Sequence, residues 1–285
     1  MQQKNYINPK TKIAIIGGTS FIATKLIFLI PKNKFQIIAT YNNKKNIIKN
    51  KKIIWKQLSL NKKKKDYFKY LDSPDIVINL AWPDIPKYLL KRHLKTFILQ
   101  KKLNYNLINN GLKNLIILGT CYEYGKISGK LDEGLKAKPI IPYAKAKLKL
   151  LKSIIRLKKK KSFKLSWLRP FFVYGNNKKR KTLFSLLKDY EKNKIKKLEV
   201  CGELVRDFVP VNYLCKSILK IIDLNDDIGL LNVCTGKPMK LKKFVKININ
   251  DHKKFSKIKM NGKNPNSFEP KKFWGCNKKL KKILL

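Results

Sequence analysis

Acid is scarce in this chain: 17 Asp and Glu stand against 67 Lys and Arg, a formal net charge of +50 over 285 residues. Histidine is scarcer, at two, and the five cysteines (Cys121, Cys201, Cys215, Cys234, Cys276) include no C-x-x-C. With only His93 and His252 to join them, no local spacing builds a metal-ligand cluster, so neither a structural zinc nor a disulfide framework is expected. Long apolar runs are missing too. The longest, such as "LIFLI" and "IIGGTSFIA", fall far short of the roughly 20 residues a membrane span needs. The opening "MQQKNYINPKTK" has none of the apolar stretch of a secretory signal, and the expected location is the cytoplasm.

Arginine is the last scarcity. Only Arg92, Arg156, Arg169, Arg180 and Arg206 occur, so nearly all the positive charge is lysine. Dedicated nucleic-acid binders usually use arginine's planar fork to read phosphates and bases. Here Lys, Asn and Ile are inflated together, and lysine is spread over nearly every segment. That pattern fits a bias toward AT-rich codons with lysines on solvated faces, and no specific nucleic-acid partner is expected. The field would still attract phosphorylated small molecules.

What is present is a hydrophobic fraction of 44%, enough for one large domain or a main domain with a smaller companion. "KTKIAIIGGTSFIATKLIFLI" reads as a buried strand from Lys12 to Ile16, a glycine turn, and a helix from near Ser20. "FQIIATY", "KKIIWKQL", "PDIVINLAW", "KNLIILGT" and "FKLSWLRPFFVYG" are further β-branched or apolar runs, with helical patterns between several of them. Continuous apolar strands alternating with helices indicate a parallel sheet covered on both faces. The fold class expected is α/β, a Rossmann-like doubly wound sheet with a smaller C-terminal lobe. Beyond it "TLFSLLKDYEKNK" and "NYLCKSILKIIDL" read as helical and "KKLEVCGELVRDFVPV" as strand-like. No internal repeat appears.

The first βα turn, Gly17-Gly18-Thr19-Ser20-Phe21-Ile22-Ala23, can bring backbone N–H groups to a pyrophosphate at a helix's positive end. The second candidate feature is Tyr143-x-x-x-Lys147, which sets a phenol and an ammonium one helical turn apart. Spacing alone does not select it, because Tyr6, Tyr41, Tyr122, Tyr174 and Tyr190 also have Lys at i+4. Tyr143, however, follows Pro142 at the start of a helix.

With these motifs the chain resembles the extended short-chain dehydrogenase/reductase family, the NAD(P)-dependent epimerases, dehydratases and reductases of nucleotide sugars. That family's turn is G-x-x-G-x-x-G, and Ser20 and Ala23 stand at its second and third glycines. The resemblance continues in order through "DIVINLAW", with Asn79 for a usual His, then "LGTCYEYGK", "PIIPYAKAK", "LRPFFVYG", "VRDFVPV", "LLNVCTGK" and "FWGCNKKLKKIL". It implies that Thr120, Tyr143 and Lys147 are catalytic. A neighbouring cation favours the phenolate of a tyrosine whose ordinary pKa is about 10. Lys147 would also grip the nicotinamide ribose. The cofactor would be held by Gly17, Gly18, Ser20, Phe21 and Ile22, with Gln57 and Leu58 near the adenine, and with Leu80, Ala81 and Pro170. The second strand ends "ATYNNKKN" with no acidic residue for a ribose 2′-OH, while Asn42, Asn43, Lys44 and Lys45 suit a 2′-phosphate. NADP(H) is favoured and NAD(H) possible.

On the substrate side the resemblance points to Cys121, Tyr122 and Phe172, and to Arg206 as the contact to a nucleotide diphosphate. Arg169 is expected to support the sheet end. Family dehydratases carry an acid/base pair right after the catalytic Thr; Cys121 and Tyr122 stand there, and Glu123, one place along a strand, would face the other way. Dehydration is therefore disfavoured. The expected organisation is a cofactor domain over 10–175 with a return segment about 207–235, and a substrate lobe over 176–206 and 236–285. The expected activity is reduction of a nucleotide-linked 4-keto-6-deoxyhexose for surface polysaccharide, by a homodimer. Two alternatives stay open: a nucleotide-sugar 4-epimerase with tightly held NAD, and a degenerate relative that binds RNA or acts as a scaffold.

Overall fold

The computed structural model describes residues 10–44, 47–62, 64–176, 182–264 and 266–285. Tyr6, Lys45, Lys178 and Arg180, and most of the N-terminal stretch quoted above, lie outside them. In chain order the first half contains β1 (Thr11–Ile16), α1 (Phe21–Leu29), β2 (Phe35–Tyr41), β3 (Ile53–Gln57), α2 (Tyr67–Tyr70), β4 (Ile76–Asn79), α3 (His93–Asn109) and β5 (Asn114–Leu118). The second half contains β6 (Gly129–Leu131), α4 (Pro142–Lys158), β7 (Lys164–Pro170), β8 (Phe172–Tyr174), α5 (Leu183–Glu191), β9 (Val205–Arg206), β10 (Phe208–Pro210) and α6 (Val211–Leu224). It closes with β11 (Gly229–Val233), β12 (Met239–Lys240), α7 (Leu241–Asn248), α8 (His252–Ser256), β13 (Phe273–Gly275) and α9 (Lys278–Leu284).

Seven strands form one sheet in the order β11-β7-β5-β4-β1-β2-β3, and every neighbouring pair is parallel. The apolar runs explain this. Along β1 the side chains alternate between two cores: Ile13 and Ile15 join Leu26, Ile27, Leu214 and Ile218 on the face covered by α1 and α6. Ala14 and Ile16 join Leu103, Leu107, Leu150 and Ile154 on the face covered by α3 and α4. A strand buried on both sides has no polar positions to spare, hence "IAII" without alternation. Strand order reverses at β1, whose neighbours are β2 and β4, and such a reversal opens a crevice at the carboxyl ends of the strands. Among the described residues no helix is long and apolar enough to cross a membrane.

Beyond the sheet the reading needs correction. The run "KKLEVCGELVRDFVPV" is not one strand: Val205–Arg206 and Phe208–Pro210 belong to two small separate sheets, and Glu199 and Cys201 make single bridges to Lys259 and Asn261. "FKLSWLRPFFVYG" likewise splits. Phe171 N–H donates to the Val233 carbonyl inside the large sheet, but Phe172 N–H donates to the Asp207 carbonyl, so β8 leaves the sheet to pair with β10. A third apolar cluster lies here, with Leu187 and Tyr190 of α5 against Phe244 and Val245 of α7. The rings of Phe208 and Phe244 stack beside them at 3.8 Å.

Asp207 ties these pieces together. Its buried carboxylate accepts from Thr235 N (2.8 Å), Thr235 Oγ1 (2.7 Å), Gly236 N (2.9 Å) and Gly275 N (3.3 Å). Burial still pushes its carboxyl up, against those donors. Replacing Asp207 by Ala leaves several buried donors unsatisfied, and should cost about 2–4 kcal/mol, given roughly 1–3 kcal/mol for each stranded group. Urea unfolding of the two proteins measures it. A change within error of zero would mean that this carboxylate does not hold the C-terminal pieces to the sheet.

Candidate active site

The glycine turn between β1 and α1 lies in the crevice. Gly17 has φ +81°, and a Cβ there would stand 2.9 Å from the Ala81 backbone; one on Gly18 would stand 2.8 Å from Ala39 Cβ. The turn is thus wedged between the ends of β4 and β2, and Thr40 receives both glycine N–H groups, through Oγ1 (2.9 Å) and its carbonyl (2.8 Å). Ser20 caps α1, its Oγ accepting from Ala23 N (3.4 Å). Phe21 and Ile22 then hold the first helical N–H groups, which have no acceptor within the helix and point its positive end outward. Ala23 is fully buried against the sheet, where a small residue is needed. This donor set fits an anionic pyrophosphate. Leu80 and Ala81 follow β4 beside the turn, and Ala81 O accepts from Gln100 Nε2 (2.6 Å). Asn79 joins Gln100 and Asn104 in a buried amide cluster tying β4 to α3. Asn42 and Lys44 are exposed just past β2. Leu58 is buried in the core, while Gln57 is exposed and its carbonyl accepts from the Tyr70 hydroxyl. Pro170 ends β7, paired with Val233.

After β5 the chain does not continue as a strand. Thr120 caps a 3₁₀ turn over Cys121–Tyr124, its Oγ1 accepting from Tyr122 N (3.3 Å) while Glu123 Oε1 accepts from Thr120 N (3.0 Å). The orientation of Glu123 is therefore set by this reciprocal cap and not by strand alternation. Its carboxylate is wholly buried, receives Trp167 Nε1 (3.1 Å) and pairs with Arg169 Nε at 2.8 Å. Burial pushes the Glu123 carboxyl up while Arg169 and Trp167 pull it back. Cys121 is buried and its thiol is pushed far up by desolvation, so it sits there as a neutral group.

α4 begins at Pro142 and brings Tyr143 and Lys147 to the carboxyl end of β5. Both are buried, as is Thr120. Lys147 Nζ donates to Leu118 O at 2.5 Å and lies 5.9 Å from the centre of the Tyr143 ring. Its ammonium is pushed down from an ordinary 10.5 to about 7, chiefly by burial, against the pull of Glu123. A lysine that titrates near neutrality beside a buried phenol is an arrangement suited to proton transfer.

Residues 13–234 match the model of the NAD dependent epimerase/dehydratase family. The chain belongs to that family. Two similar proteins of Aggregatibacter actinomycetemcomitans are a dTDP-6-deoxy-L-talose 4-dehydrogenase (NAD(+)) and a GDP-6-deoxy-D-talose 4-dehydrogenase. The first is 25% identical over 208 residues, 72% of this chain and 77% of that protein; the second is 28% identical over 230 residues, 79% and 74%. Among solved structures, an NAD-dependent NDP-hexosamine 5,6-dehydratase of tunicamycin biosynthesis superposes with TM-score 0.82 at 18% identity, over 96% of this chain and 91% of that one. A UDP-N-acetylglucosamine 4-epimerase of Methanobrevibacter ruminantium does so with TM-score 0.81 at 20% identity, over 97% and 92%. These two likenesses are likenesses of fold.

In this family member the wall facing Tyr143 is aromatic. Tyr88 lies between Tyr143 (5.3 Å) and Tyr122 (5.2 Å), and Phe268 and Phe172 close on Tyr122 at 5.5 and 6.2 Å. The Tyr122 hydroxyl donates to Glu269 Oε1 at 2.6 Å, and burial first, with Glu269 nearby, holds the phenol well above its ordinary value. Arg206 differs most from its expected part. Its Nε (3.1 Å) and Nη2 (2.7 Å) donate to Glu269 Oε2, and Nη1 donates to the carbonyls of Val205 and Lys271. The fork that resemblance aims at a diphosphate is here taken up inside the protein, because Glu269 lies 63 positions downstream and no local pattern signals the pairing. Trp82, Tyr88, His93 and Glu269 are site neighbours that motif reading passed over. The only cue to the first two is an aromatic pair in "AWPDIPKYL", directly after β4.

The depressed lysine makes stability depend on pH in a defined sense. Between about pH 7 and 10.5 the unfolded chain binds the Lys147 proton and the folded one releases it, so this group makes stability rise with pH across that window. In Lys147→Met the slope of unfolding free energy against pH should fall by up to about 1.4 kcal/mol per pH unit there. Urea titrations at a series of pH values would show it. An unchanged slope would mean that Lys147 keeps an ordinary ammonium.

Proposed function

We propose that the protein is an NAD(P)H-dependent oxidoreductase of a nucleotide sugar, reducing a nucleotide-linked 4-keto-6-deoxyhexose. The observation that carries this reading is the burial of Tyr143 and Lys147 one turn apart on α4, with Lys147 bonded to Leu118 at the carboxyl end of β5, two residues before the buried Thr120. The two 6-deoxytalose 4-dehydrogenases support the substrate class, since oxidation at C4 run backwards is reduction of a 4-keto-6-deoxy sugar. The aromatic wall of Tyr88, Tyr122 and Phe268 adds support, being better suited to a C6 methyl than to a carboxylate.

In this reading the turn and the first N–H groups of α1 bind the dinucleotide diphosphate, and when bound the nicotinamide supplies the hydride. Tyr143 gives its phenolic proton to the sugar's C4 oxygen, Thr120 Oγ1 holds that oxygen by a hydrogen bond, and Lys147 stabilises the phenolate left behind. Asn42 and Lys44, exposed where no carboxylate stands, support NADP(H); the name of the dTDP-sugar relative supports NAD(H). Dehydration lacks its chemistry here, since Cys121 and Tyr122 follow Thr120 and Glu123 is spent on Arg169. The C-terminal pieces around α5 and α7 would form the substrate lobe. Leu94, Ile98 and Ile155, exposed on α3 and α4, would meet a second copy in a homodimer.

The test begins with binding of NADH and NADPH at about 150 mM salt, where nonspecific charge attraction is screened. Wild type and Tyr143→Phe should bind one of them alike. With 4-keto-6-deoxy nucleotide sugars the wild type should consume reduced cofactor stoichiometrically, and Tyr143→Phe should be slower by about 10²–10⁴-fold. Turnover without net cofactor consumption would favour the 4-epimerase. Failure to bind either dinucleotide would sink the enzyme reading and bring forward the RNA-binding or scaffold alternative.

A further inference from the structure

Lys147 is not held by the backbone alone. Its Nζ lies 3.9 Å from the centre of the Trp82 ring, close enough for the negative face of the indole to attract the ammonium. The same ring meets Tyr143 nearly edge-on, at 5.9 Å and 78°. Trp82 is fixed in turn. Its Nε1–H donates to His93 Nδ1 at 3.2 Å, and His93 Nε2 lies 2.9 Å from Lys87 O. Indole nitrogen can only donate, so Nδ1 must accept and Nε2 must carry the hydrogen that goes to Lys87 O. That places both nitrogens of a wholly buried imidazole, whose ring also contacts Tyr143 at 5.3 Å.

We propose that Trp82 is a positioning residue for the Tyr143–Lys147 pair: anchored by His93, its indole face lies over the Lys147 ammonium and keeps that buried cation charged and in place. The inference rests on Tyr143 and Lys147 being the reacting pair. The surroundings leave few other means of support. From α4 the ammonium is faced by Tyr143, from β5 by the Leu118 carbonyl, and from the 3₁₀ turn by Glu123, whose carboxylate is already paired with Arg169. Across the pair, α3 presents His93 with its two nitrogens engaged. Burial presses the ammonium toward its neutral form and Glu123 pulls it back. The indole face at 3.9 Å and the Leu118 carbonyl at 2.5 Å add to that pull at close range.

Lysine ¹³Cε NMR on the full-length protein tests this without any cofactor. One lysine should titrate near neutrality, assigned by its disappearance in Lys147→Met. In Trp82→Leu it should titrate lower by about one pH unit, the shift that a desolvated cation–π contact implies. Trp82→Phe should restore part of the value, and His93→Gln, which keeps the indole but loosens it, should shift the resonance the same way by less. If Trp82→Leu does not fold, the Phe and Gln variants decide. A Lys147 pKa that is unchanged or raised in folded variants lacking the indole or its anchor overturns the proposal. Failure of dinucleotide binding would overturn the enzyme reading and leave this titration intact, so the two can fail separately.

Discussion

The carboxyl edge of the sheet hangs on one buried ion pair. Glu123 and Arg169 come from the turn after β5 and from β7, and both are almost wholly removed from water. Neither ion could be buried alone, since an unpaired charge in such a place costs several kcal/mol. Together they fix more than themselves. The second oxygen of Glu123 takes the Thr120 N–H, the cap that turns the chain out of the strand and sets the Thr120 hydroxyl at the crevice. Arg169 lies over the Tyr124 ring at 4.6 Å, and the Tyr124 hydroxyl reaches Asn232 on β11. The geometry of Thr120 is therefore held across the sheet from β5 through β7 to β11.

That pair also bears on the excess of positive charge. Of the 17 acidic residues, Glu123, Asp207 and Glu269 are buried and spent on Arg169, on the Thr235–Gly236 turn, and on Arg206 with Tyr122. Among the described residues Lys147 is the one buried lysine. The +50 charge is thus mostly a property of the surface, and the interior is balanced where it is ionic. A general positive field favours the approach of a phosphorylated ligand but does not choose one. Discrimination has to come from the crevice.

Sequence made the sheet and the Tyr143–Lys147 pair legible for the same reason: each rests on a local pattern. Buried parallel strands appear as unbroken apolar runs, and a helix starting at Pro142 sets Tyr143 and Lys147 on one face whatever lies elsewhere. The strand expected to carry Glu123 gives way to a 3₁₀ turn, which has no periodicity of its own; the reciprocal bonds of Thr120 and Glu123 reveal it. Motif alone aims Arg206 at a ligand, because its partner Glu269 stands far along the chain in a stretch without motif. Trp82 and His93 carry no motif signal, because their significance is a mutual placement across the gap between β4 and α3.

Arginine's scarcity becomes informative once its positions are known. Two arginines are buried, Arg169 and Arg206, and Arg206 does what a lysine could not. Arg206 sends separate N–H groups to a carboxylate and two carbonyls while its plane lies 4.8 Å from the Phe273 ring and 5.3 Å from that of Phe172. A compact ammonium has neither the span nor the flat face for such a site. At Lys147 the requirement is reversed. A guanidinium, charged at any working pH, could not have its charge tuned by burial, whereas an ammonium can be brought near neutrality and then steadied by a carbonyl and an indole face. In a chain where lysine is the default cation, the ionic interior depends on which buried positions carry arginine and which one carries lysine.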